Sequence, residues 1–530
     1  MEEFTIRPIL GLRTDVAQND PSLFEGPTCH CVSMQNVDLD RIRNASSKAT
    51  GRTQYSATAN AQHTKCLGLF ELKGSSATDH LFWDNGKFYY LASDRTFTAV
   101  DAAVAVNFGT ADSALVSAIQ VGNYVVMADR AATLTPYIWK NSDANLTKLI
   151  KTGTEYKFRY LAPFQRRVIG AYSDQTNGDI EIRWTQPWTN ADYFTSACTM
   201  AAANQLYKSG NDSIVGIKPM GANACLLYGE NSIDSIDYYA NYTMPFAINN
   251  RIANHGAVNH HSIVDAGIHY FFNKHYGFVG YAGGNEFPYG GVPISYDIED
   301  ILAGINPAYY HQIVGKFIPH AKECVWAVPL DGAATPNTLL RYDLLSKQWS
   351  IKKNTCRFID FWTLDSALIW NDLAALGYTY WTDFGLLRWS DLVSSTPYVV
   401  SADTNGHVYT DTGESDAGAA WDGYRIEPII SLGETPKALL LEIWLGLASI
   451  GSFSIYIYYR KGDTEAECES APWTALDEIS ANSPDNAVTY VNAANATAAR
   501  FHQIKWGTDA ASEVFSVNTI TFKYVPQGSY

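Results

Sequence analysis

The sequence predicts an all-β fold: an irregular β-propeller of about six or seven blades, with an extended N-terminal segment and a C-terminal β-sandwich-like domain. Three observations predict it. β-Hairpin patterns recur at intervals of roughly 40 to 60 residues, which is near the spacing of propeller blades. Clear helical periodicity is almost absent. The last hundred or so residues alternate apolar and polar side chains, as sandwich strands do. The expected divisions are 1–60, 61–424 and 425–530.

The composition agrees with a large β protein. Aromatic residues make up 13% of the chain and charged residues only 17%, whereas about a quarter of a typical soluble domain is charged. Tyr, Trp, Thr, Asn and Gly replace the missing charges, and these residues favour strands and turns. A chain of 530 residues is too long for one compact core, so several domains or a repeat array are expected.

Six segments are predicted to form hairpins or short meanders, because strand-like runs flank turn residues in each. Asn85-Gly86 supply the positive φ angles that a tight hairpin turn needs, and Asn177-Gly178 stand at the turn of another hairpin. One such sheet cannot bury both of its faces alone, so the sheets must stack radially or as a sandwich. The segments are 80–93, 166–184, 223–239, 267–284, 323–352 and 398–413.

The stretch "PNTLLRYDLLSKQWSIKK" (336–353) resembles a kelch-like pattern. Tyr342 and Asp343 end one predicted strand, and Trp349 begins the next. The other hairpins lack this signature, so we expect blades that have diverged beyond a regular repeat. Tyr342 and Trp349 are predicted to be packing residues of one blade.

Two regions lie outside the hairpin pattern. Residues 1–60 include the polar stretch "NVDLDRIRNASSKATGRTQY" (36–55), which predicts an extended segment with a concentration of Arg. In the C-terminal region the residues that fall on one face of a strand, because their spacing is even, are Phe453, Ile455, Ile457 and Tyr459.

The formal net charge of −16 and the pI near 5.2 exclude a general electrostatic affinity for nucleic acid, which needs clustered Lys and Arg. The same acidity would let DNA slide past a surface without sticking. A protein that does not meet nucleic acid and a protein that DNA slides past therefore both stay open. The N-terminus lacks a signal-peptide pattern and no window is apolar enough to span a membrane. Eight cysteines are too few for a disulfide scaffold, and Cys29 and Cys31 make a poor zinc motif. We expect a soluble protein made in a reducing compartment.

No standard catalytic motif occurs in the sequence: P-loop, dinucleotide fingerprint, nucleophile elbow and zincin motif are all missing. The stretch "SADTNGHVY" (401–409) resembles the Asp-box of sialidase propellers, which is a structural turn. The densest titratable cluster fits no standard metal set, and surface or interface histidines are the simpler interpretation; it comprises His255, His260, His261, His269 and His275. We expect no catalytic, cofactor-binding or metal-binding residues, and no enzyme.

The order of several phrases is similar to one family. The chain resembles the tail nozzle (tail hub, or packaged-DNA stabilisation) proteins of short-tailed bacteriophages. An early Gly11-Leu12 is followed by "QNVD" (35–38) and then by a basic stretch that leads to Gly51-Arg52 and Tyr55. In the family the Arg precedes the Gly; here Gly precedes Arg, after an insertion. Further phrases are "SIVGIKPMGANACLLYGENSIDSI" (213–236), "IVDAGIHYFFNKHYGFVGYAGG" (263–284), "PISYDIEDIL" (293–302) and "ECVWAVPLDG" (323–332) continuing to "NTLLRYDLLSKQW" (337–349).

The resemblance implies a structural virion protein of the phage tail, assembled in the host cytoplasm. Such a protein forms a ring, expected to be a hexamer, below the portal and adaptor. The ring lines the DNA channel, retains the packaged genome and guides its ejection into the host. Its implied partners are other copies of the chain, the head–tail adaptor, tail fibres or tailspikes, and double-stranded DNA that passes without sequence-specific binding. Residues 1–60 are the candidate contact with the ring or the adaptor. No cofactor and no membrane span are implied.

A ring needs two different complementary surfaces on each subunit, and Trp and Tyr favour interfaces. Two aromatic-rich stretches, 184–194 and 378–389, therefore supply candidate interface residues, with blade-against-blade packing as the alternative. The candidates are Trp184, Trp188, Tyr193, Tyr378, Tyr380, Trp381 and Trp389. Two other functions stay open: a propeller-type carbohydrate-binding or glycoside-hydrolysing protein, and a non-catalytic propeller scaffold of cellular origin.

Overall fold

The structure is a computed structural model of the chain. The residues that it describes are 1–40, 45–57, 65–74, 78–84, 86–92, 95–100, 108–111, 113–130, 134–151, 153–188, 194, 198–239, 244–284, 293–365, 395–403, 406–413, 415–432, 437–447, 453–476, 479–481, 486–490, 497–510 and 515–527. Every structural statement below concerns these residues.

The first sixty residues contribute seven short strands. They are β1 (Glu2–Ile6), β2 (Phe24–Glu25), β3 (Thr28–Cys29), β4 (Ser33–Gln35), β5 (Val37–Asp40), β6 (Ala45–Lys48) and β7 (Thr53–Gln54). β2 and β3 pair only with each other, and the other five strands join sheets formed by later parts of the chain.

Seven antiparallel sheets follow in chain order, and each is one blade. Blade 1 consists of β8 (Cys66–Lys73), β9 (Thr78–Asp84), β10 (Lys87–Leu91) and β11 (Phe97–Ala99). Blade 2 consists of β12 (Val116–Val121), β13 (Tyr124–Asp129), β14 (Tyr137–Trp139) and β15 (Thr147–Lys148). Blade 3 consists of β16 (Phe158–Phe164), β17 (Arg167–Ser173), β18 (Glu181–Trp184) and β19 (Gln205–Tyr207). Blade 4 consists of β20 (Ile214–Met220), β21 (Ala224–Gly229), β22 (Ser232–Tyr238) and β23 (Phe246–Ala253). Blade 5 consists of β24 (Val264–Asp265), β25 (His269–Asn273) and β26 (Gly277–Tyr281). Blade 6 consists of β27 (Val314–Ile318), β28 (Glu323–Val328), β29 (Thr338–Asp343) and β30 (Gln348–Lys353). Blade 7 contains β31 (Phe358–Asp365), β32 (Ser395–Ala402) and β33 (Val408–Thr410).

The blades close into a ring around the first strand of each. The first strands of neighbouring blades contact one another from blade 1 to blade 4 and from blade 5 to blade 7, and β31 of blade 7 contacts β8 of blade 1. Beside blade 5, the 3₁₀ turn His260–Ser262 contacts β20 of blade 4, β25 of blade 5 and β27 of blade 6. The N-terminal β7 pairs with β33 and so supplies the fourth strand of blade 7. The predicted irregular β-propeller is therefore confirmed, with seven blades in the described part of the chain. Every predicted hairpin segment contains a pair of consecutive antiparallel strands of one blade.

Apolar and aromatic side chains fill the spaces between blades. Trp326 of blade 6 is buried and lies directly over Gly315, where a Cβ atom would come within 2.5 Å of both Trp326 and Val264. Trp349 is also fully buried, and its ring lies 4.8 Å from that of Tyr342, its partner across the hairpin. Both residues of the kelch-like pattern are therefore packing residues, as predicted.

The C-terminal region forms two antiparallel sheets with the N-terminal strands. Its strands are β34 (Gly423–Ile426), β35 (Ile430–Ser431), β36 (Lys437–Leu447), β37 (Phe453–Gly462), β38 (Thr474–Ala475), β39 (Ile479–Ala481), β40 (Asn486–Tyr490), β41 (Phe501–Thr508) and β42 (Ser516–Gln527). One sheet has the order β40-β36-β42-β6-β5, with β1 also paired to β42; the other is β38-β37-β41-β34-β4, with β35 and β39 alongside. Ile455, Ile457 and Tyr459 are buried on one face, as their spacing predicts.

Helices are short and few in the described residues. They are α1 (Glu299–Leu302), α2 (Glu465–Ser470) and five 3₁₀ turns at Pro21–Leu23, Gly178–Ile180, His260–Ser262, Tyr296–Ile298 and Pro307–Gln312. A capping box of Thr464 and Glu467 begins α2. No helix among the described residues is long and apolar enough to cross a membrane.

Candidate functional site: the propeller axis and the blade 6 junction

The 3₁₀ turn His260–Ser262 lies at the propeller axis. The His260 ring stacks on Tyr160 of blade 3 at 5.2 Å, and its Nε2 lies 3.4 Å from Ser117 Oγ of blade 2. The backbone N–H of Ile217, in blade 4, donates to His260 Nδ1 at 3.3 Å. Ser262 O accepts a bond of 3.0 Å from Trp326 Nε1 of blade 6. One turn thus contacts four blades, which is possible only close to the axis.

The hydrogen bonds of His260 fix its tautomer. Because an N–H group donates to Nδ1, that nitrogen must be unprotonated, and the proton of the neutral ring sits on Nε2, towards Ser117 Oγ. Burial lowers the pKa of His260 well below its ordinary value, and Lys218 and His261 lower it further. The ring is therefore neutral at pH 7.

A second segment, Pro307–Gln312, supports the axial turn. Asn259 Nδ2 donates to Tyr310 O at 2.7 Å and to Ile313 O at 3.1 Å. Arg130, which follows blade 2, donates to His311 O at 3.2 Å, and Arg357, which precedes blade 7, donates to Gln312 Oε1 at 2.6 Å. The two segments thus connect blades on different sides of the ring.

Charged side chains of three blades meet beside the turn. Lys316 of blade 6 forms an ion pair with the buried Asp360 of blade 7. Burial and the charge of Lys316 lower the pKa of Lys218, in blade 4, to about 8. Burial, Lys218 and Arg130 lower the pKa of His261 to about 3.

The predicted histidine cluster is only partly a cluster. His260 and His261 are adjacent at the axis, with ring centroids 5.2 Å apart. His269 is buried in blade 5 between Tyr228 Oη at 2.7 Å and Pro219 O at 3.0 Å. His255 and His275 both lie beside Tyr276, at an outer turn. Within the described ranges no group of three or more His, Cys, Asp or Glu is arranged to hold a metal ion.

Of the predicted interface residues, the structure describes two. Trp184 is 1% exposed and packs edge-on against Phe246 of blade 4 at 5.2 Å. It therefore packs blade against blade and offers no surface to a second subunit. Trp188 is half-buried beside Phe194, with ring centroids 5.6 Å apart. Tyr193, Tyr378, Tyr380, Trp381 and Trp389 lie outside the described residues.

The Asp-box-like stretch forms a structural turn. Asp403 is buried, and its Oδ1 accepts a bond of 3.1 Å from the backbone N–H of His407. Its Oδ2 accepts from Tyr409 Oη at 3.0 Å. Because both oxygens of the carboxylate are engaged in holding the turn, Asp403 has a structural role.

The N-terminal segment is hydrogen-bonded to β30, the last strand of blade 6. The backbone N–H groups of Leu12 and Asn36 donate to Trp349 O and Ile351 O of β30, each at 2.9 Å. Asn36 Oδ1 accepts from the N–H of Lys353 at 2.8 Å, and Asp38 forms an ion pair with Arg341. These are residues of the "GL" and "QNVD" phrases, so the phrases mark a structural junction.

A buried ion pair anchors the same segment to the C-terminal sheets. Arg425 Nε donates to Glu427 Oε1 at 2.8 Å, and both side chains are almost wholly buried. Arg425 also donates to Leu10 O at 2.7 Å and to Cys29 O at 2.9 Å. One continuous apolar core includes residues of blades 5 and 6, of the N-terminal segment and of both C-terminal sheets. The first sixty residues are thus built into the rest of the molecule.

All eight cysteines are buried and unbridged. Burial raises the pKa of the Cys31 thiol to about 12, and Cys29 Sγ donates to Glu427 Oε2 at 3.4 Å. The pair therefore belongs to the core around Arg425.

Comparisons with known proteins give no family. No family model matches the chain, and no curated protein matches it. Among solved structures, apo AztD from Citrobacter koseri is similar over 55% of this chain and 71% of its own, with 13% identity and a TM-score of 0.32. Raptor from Chaetomium thermophilum matches 57% of this chain and 28% of its own, with 11% identity and a TM-score of 0.33. An exo-beta-1,3-galactanase from Phanerochaete chrysosporium matches 90% of this chain and 100% of its own, with 9% identity and a TM-score of 0.27. Likeness at this level carries no argument about function.

Proposed function

We propose that this chain is a structural subunit of a bacteriophage tail nozzle or hub. In the proposal, copies of the chain form a ring, expected to be hexameric, below the portal and adaptor. The ring lines the DNA path, retains the packaged genome and guides its ejection; fibres or tailspikes attach to it. The virion tail is its location, and it performs no catalysis. The ordered phrases between residues 10 and 350 suggested this role.

The closed propeller axis is the structural observation that best supports the proposal. Because His260–Ser262 contacts four blades at the axis, DNA has no path through a single propeller. A DNA channel must then run between subunits, as it does in a ring. The net charge of −16 suits such a wall, since an acidic surface repels phosphate groups and lets DNA slide.

The continuity of the core gives further support. A part that holds a genome under pressure has to transmit force without its domains separating. Here the propeller and the C-terminal sheets share one buried core, and the N-terminal segment is hydrogen-bonded to blade 6 and to the sheet of Arg425. Domains that merely touch usually meet through smaller and more polar interfaces.

Oligomer analysis together with electron microscopy tests the proposal. The purified chain would be mixed with the adaptor encoded beside the candidate portal gene and studied by mass photometry and negative-stain microscopy. We expect a ring of about six times the 58.6 kDa subunit mass, bound to the adaptor. A chain that stays monomeric and does not bind the adaptor would overturn the proposal. Release of sugars from surface glycans by that monomer would favour the carbohydrate-active alternative instead.

A further inference from the structure

Blade 5 has three strands among the described residues. Beyond β26, the backbone N–H of Ile294 donates to Phe278 O at 3.0 Å, and Ser295 Oγ accepts from the N–H of Phe278 at 2.9 Å. The turn Tyr296–Ile298 and helix α1 follow. This arrangement leaves a recess of about 200 Å³ between α1 and the β25–β26 turn, which we call the blade 5 recess.

The floor of the blade 5 recess is apolar, and two tyrosines stand at its rim. Phe272 and Leu302 are buried, and Tyr310 packs edge-on against Phe272 at 5.2 Å. Tyr276 is 40% exposed and Tyr296 is 51% exposed, although both line the recess. Exposed tyrosine rings beside an apolar floor offer flat stacking surfaces with a polar end, as many ligand sites do.

The β25–β26 turn holds Tyr276 in place. Asn273 Oδ1 accepts bonds from the backbone N–H groups of His275 and Tyr276, at 2.8 and 3.1 Å. Gly277 has a φ of +68°, and a Cβ atom there would lie 2.5 Å from Ser295 Oγ. Glycine therefore allows the turn to approach Ser295 closely, and the turn fixes the backbone from which the Tyr276 ring projects.

Polar side chains at the rim have no partners among the described residues. Neither the Lys274 ammonium, the Glu299 carboxylate nor the Tyr296 hydroxyl forms a hydrogen bond or ion pair with another described group. Among the described residues that line the recess, the positive charge of Lys274 and the negative charge of Glu299 cancel. A charged ligand would meet a like charge on one side, whereas a neutral ligand with several hydroxyl groups would use both.

We propose that the blade 5 recess binds a single neutral sugar ring. The apolar face of the ring would stack on Tyr296 and Tyr276, and its hydroxyl groups would bond to Glu299 and Lys274. The recess is smaller than the roughly 300 Å³ at the lower end of ordinary ligand pockets, so it takes one ring of a longer glycan. Few atoms are buried, so the affinity is on the order of millimolar. The described residues that line the recess all belong to one subunit, so sugar binding can be tested without ring formation.

Saturation-transfer NMR on the full chain tests this proposal. The probes are the methyl glycosides of glucose, galactose and N-acetylglucosamine, with methyl glucuronide and glucosamine as charged counterparts and N-acetyltyrosinamide as an aromatic, non-sugar probe. We expect transfer to the ring protons of at least one neutral glycoside. The signal should fall about tenfold in Tyr296→Ala and Tyr276→Ala, persist in Tyr296→Phe and weaken in Glu299→Gln.

Tyr207→Ala is the matched control, because Tyr207 is an exposed tyrosine, 44% exposed, on the outer strand of blade 3. It should leave the signal unchanged. Equal transfer in Tyr296→Ala and Tyr207→Ala, no transfer to any neutral glycoside, or a preference for a charged sugar or for N-acetyltyrosinamide would each overturn the proposal. Circular dichroism of every variant separates loss of binding from loss of fold, and ring assembly is scored separately.

Discussion

Arg425 is fully buried, and its guanidinium contacts four groups from four parts of the chain. They are the Glu427 carboxylate, Leu10 O, Cys29 O and Ser46 Oγ. A buried charge is tolerated only when it is paired and hydrogen-bonded. Glu427 in turn accepts from Trp506 Nε1 at 2.8 Å. The sequence contained a weak signal for this site, because Arg425 and Glu427 interrupt the apolar run "YRIEPII" (424–430) at alternate positions.

Replacing Arg425 by Met should lower the free energy of unfolding by about 3–5 kcal/mol, because the Glu427 carboxylate is left buried without its partner. Urea unfolding followed by tryptophan fluorescence would measure the loss. Arg500→Met, at an exposed arginine just before β41, is the control and should change stability by less than about 0.5 kcal/mol. Equal effects of the two variants would contradict the anchoring role of Arg425.

His261 makes the stability of the propeller depend on pH. Its pKa in the folded protein is about 3, against an ordinary 6.5, because burial and the facing charges of Lys218, Arg130 and Lys316 disfavour the protonated ring. The unfolded chain then binds more protons than the folded one between these values. The contribution of the neutral ring is therefore complete above pH 6.5 and is lost as the pH falls towards 3.

The His261→Gln variant should lose less folding stability than the wild-type protein as the pH falls. Between pH 7 and pH 5 the wild-type protein should lose up to about 2 kcal/mol more than the variant, as measured by urea unfolding at each pH. His275→Gln, at an exposed histidine, serves as the control and should follow the wild type. Parallel pH profiles for His261→Gln and the wild type would refute the prediction.

At the scale of elements, strand β7 closes the propeller ring. Thr53 and Gln54 pair with Thr410 and Tyr409, and Arg52 before them forms an ion pair with Asp416 and donates to Thr355 O at 3.0 Å. Gly51 fits so tightly that a Cβ atom would lie 2.1 Å from Ser415 O. The order Gly51-Arg52 thus has a physical reason in this chain.

Gly51→Ala should therefore loosen the closure and lower stability by about 1–3 kcal/mol, since the added methyl group has no space. Hydrogen exchange followed by mass spectrometry should show faster exchange in β33 and in β31, with β36 unchanged. Gln54→Ala, at an exposed position of the same strand, should leave exchange as it is. Protection of β33 that is equal in Gly51→Ala and the wild type would exclude this role for Gly51.

Much of the blade structure could be predicted from local signals. Hairpins depend on turn residues and on alternation within about 20 residues, so segments such as 267–284 and 323–352 were identified from the sequence. The axial turn could not be predicted, because "NHHS" (259–262) has no motif and its contacts come from four blades. The strands of residues 1–60 were also missed, since their partners lie hundreds of residues away and extended polar segments carry little alternation.

For the candidate site, the sequence indicated which residues are of interest but not where they lie in the structure. The "GL" and "QNVD" phrases were recognised, but only the structure places Leu12 and Asn36 against β30. Trp184 was proposed as an interface residue because it is aromatic, yet aromatic residues are common in blade cores as well as in interfaces. Burial separates the two possibilities, and it depends on packing that a single sequence does not reveal.

At the scale of the whole molecule, the charge predicts how the protein meets DNA. With 38 basic and 54 acidic residues, the protein should not bind free duplex DNA in solution. A filter-binding assay with a duplex of about 30 base pairs at 50 mM salt should give no half-saturation below about 10⁻⁴ M, the weak end of ordinary non-specific binding. Micromolar binding that falls steeply with salt would contradict a wall along which DNA slides.

The pairing of β1 with β42 and of β7 with β33 also has a consequence for biosynthesis. Residues Glu2–Ile6 pair with Ile520–Tyr524, so the first strand leaves the ribosome more than five hundred residues before its partner is made. Until then its neighbours in the sheet do not exist, and blade 7 stays incomplete. Folding must therefore finish after synthesis, and contacts of such high sequence separation make it slow. A chain interrupted before residue 516 would lack β42 and leave its N-terminal strands exposed to aggregation.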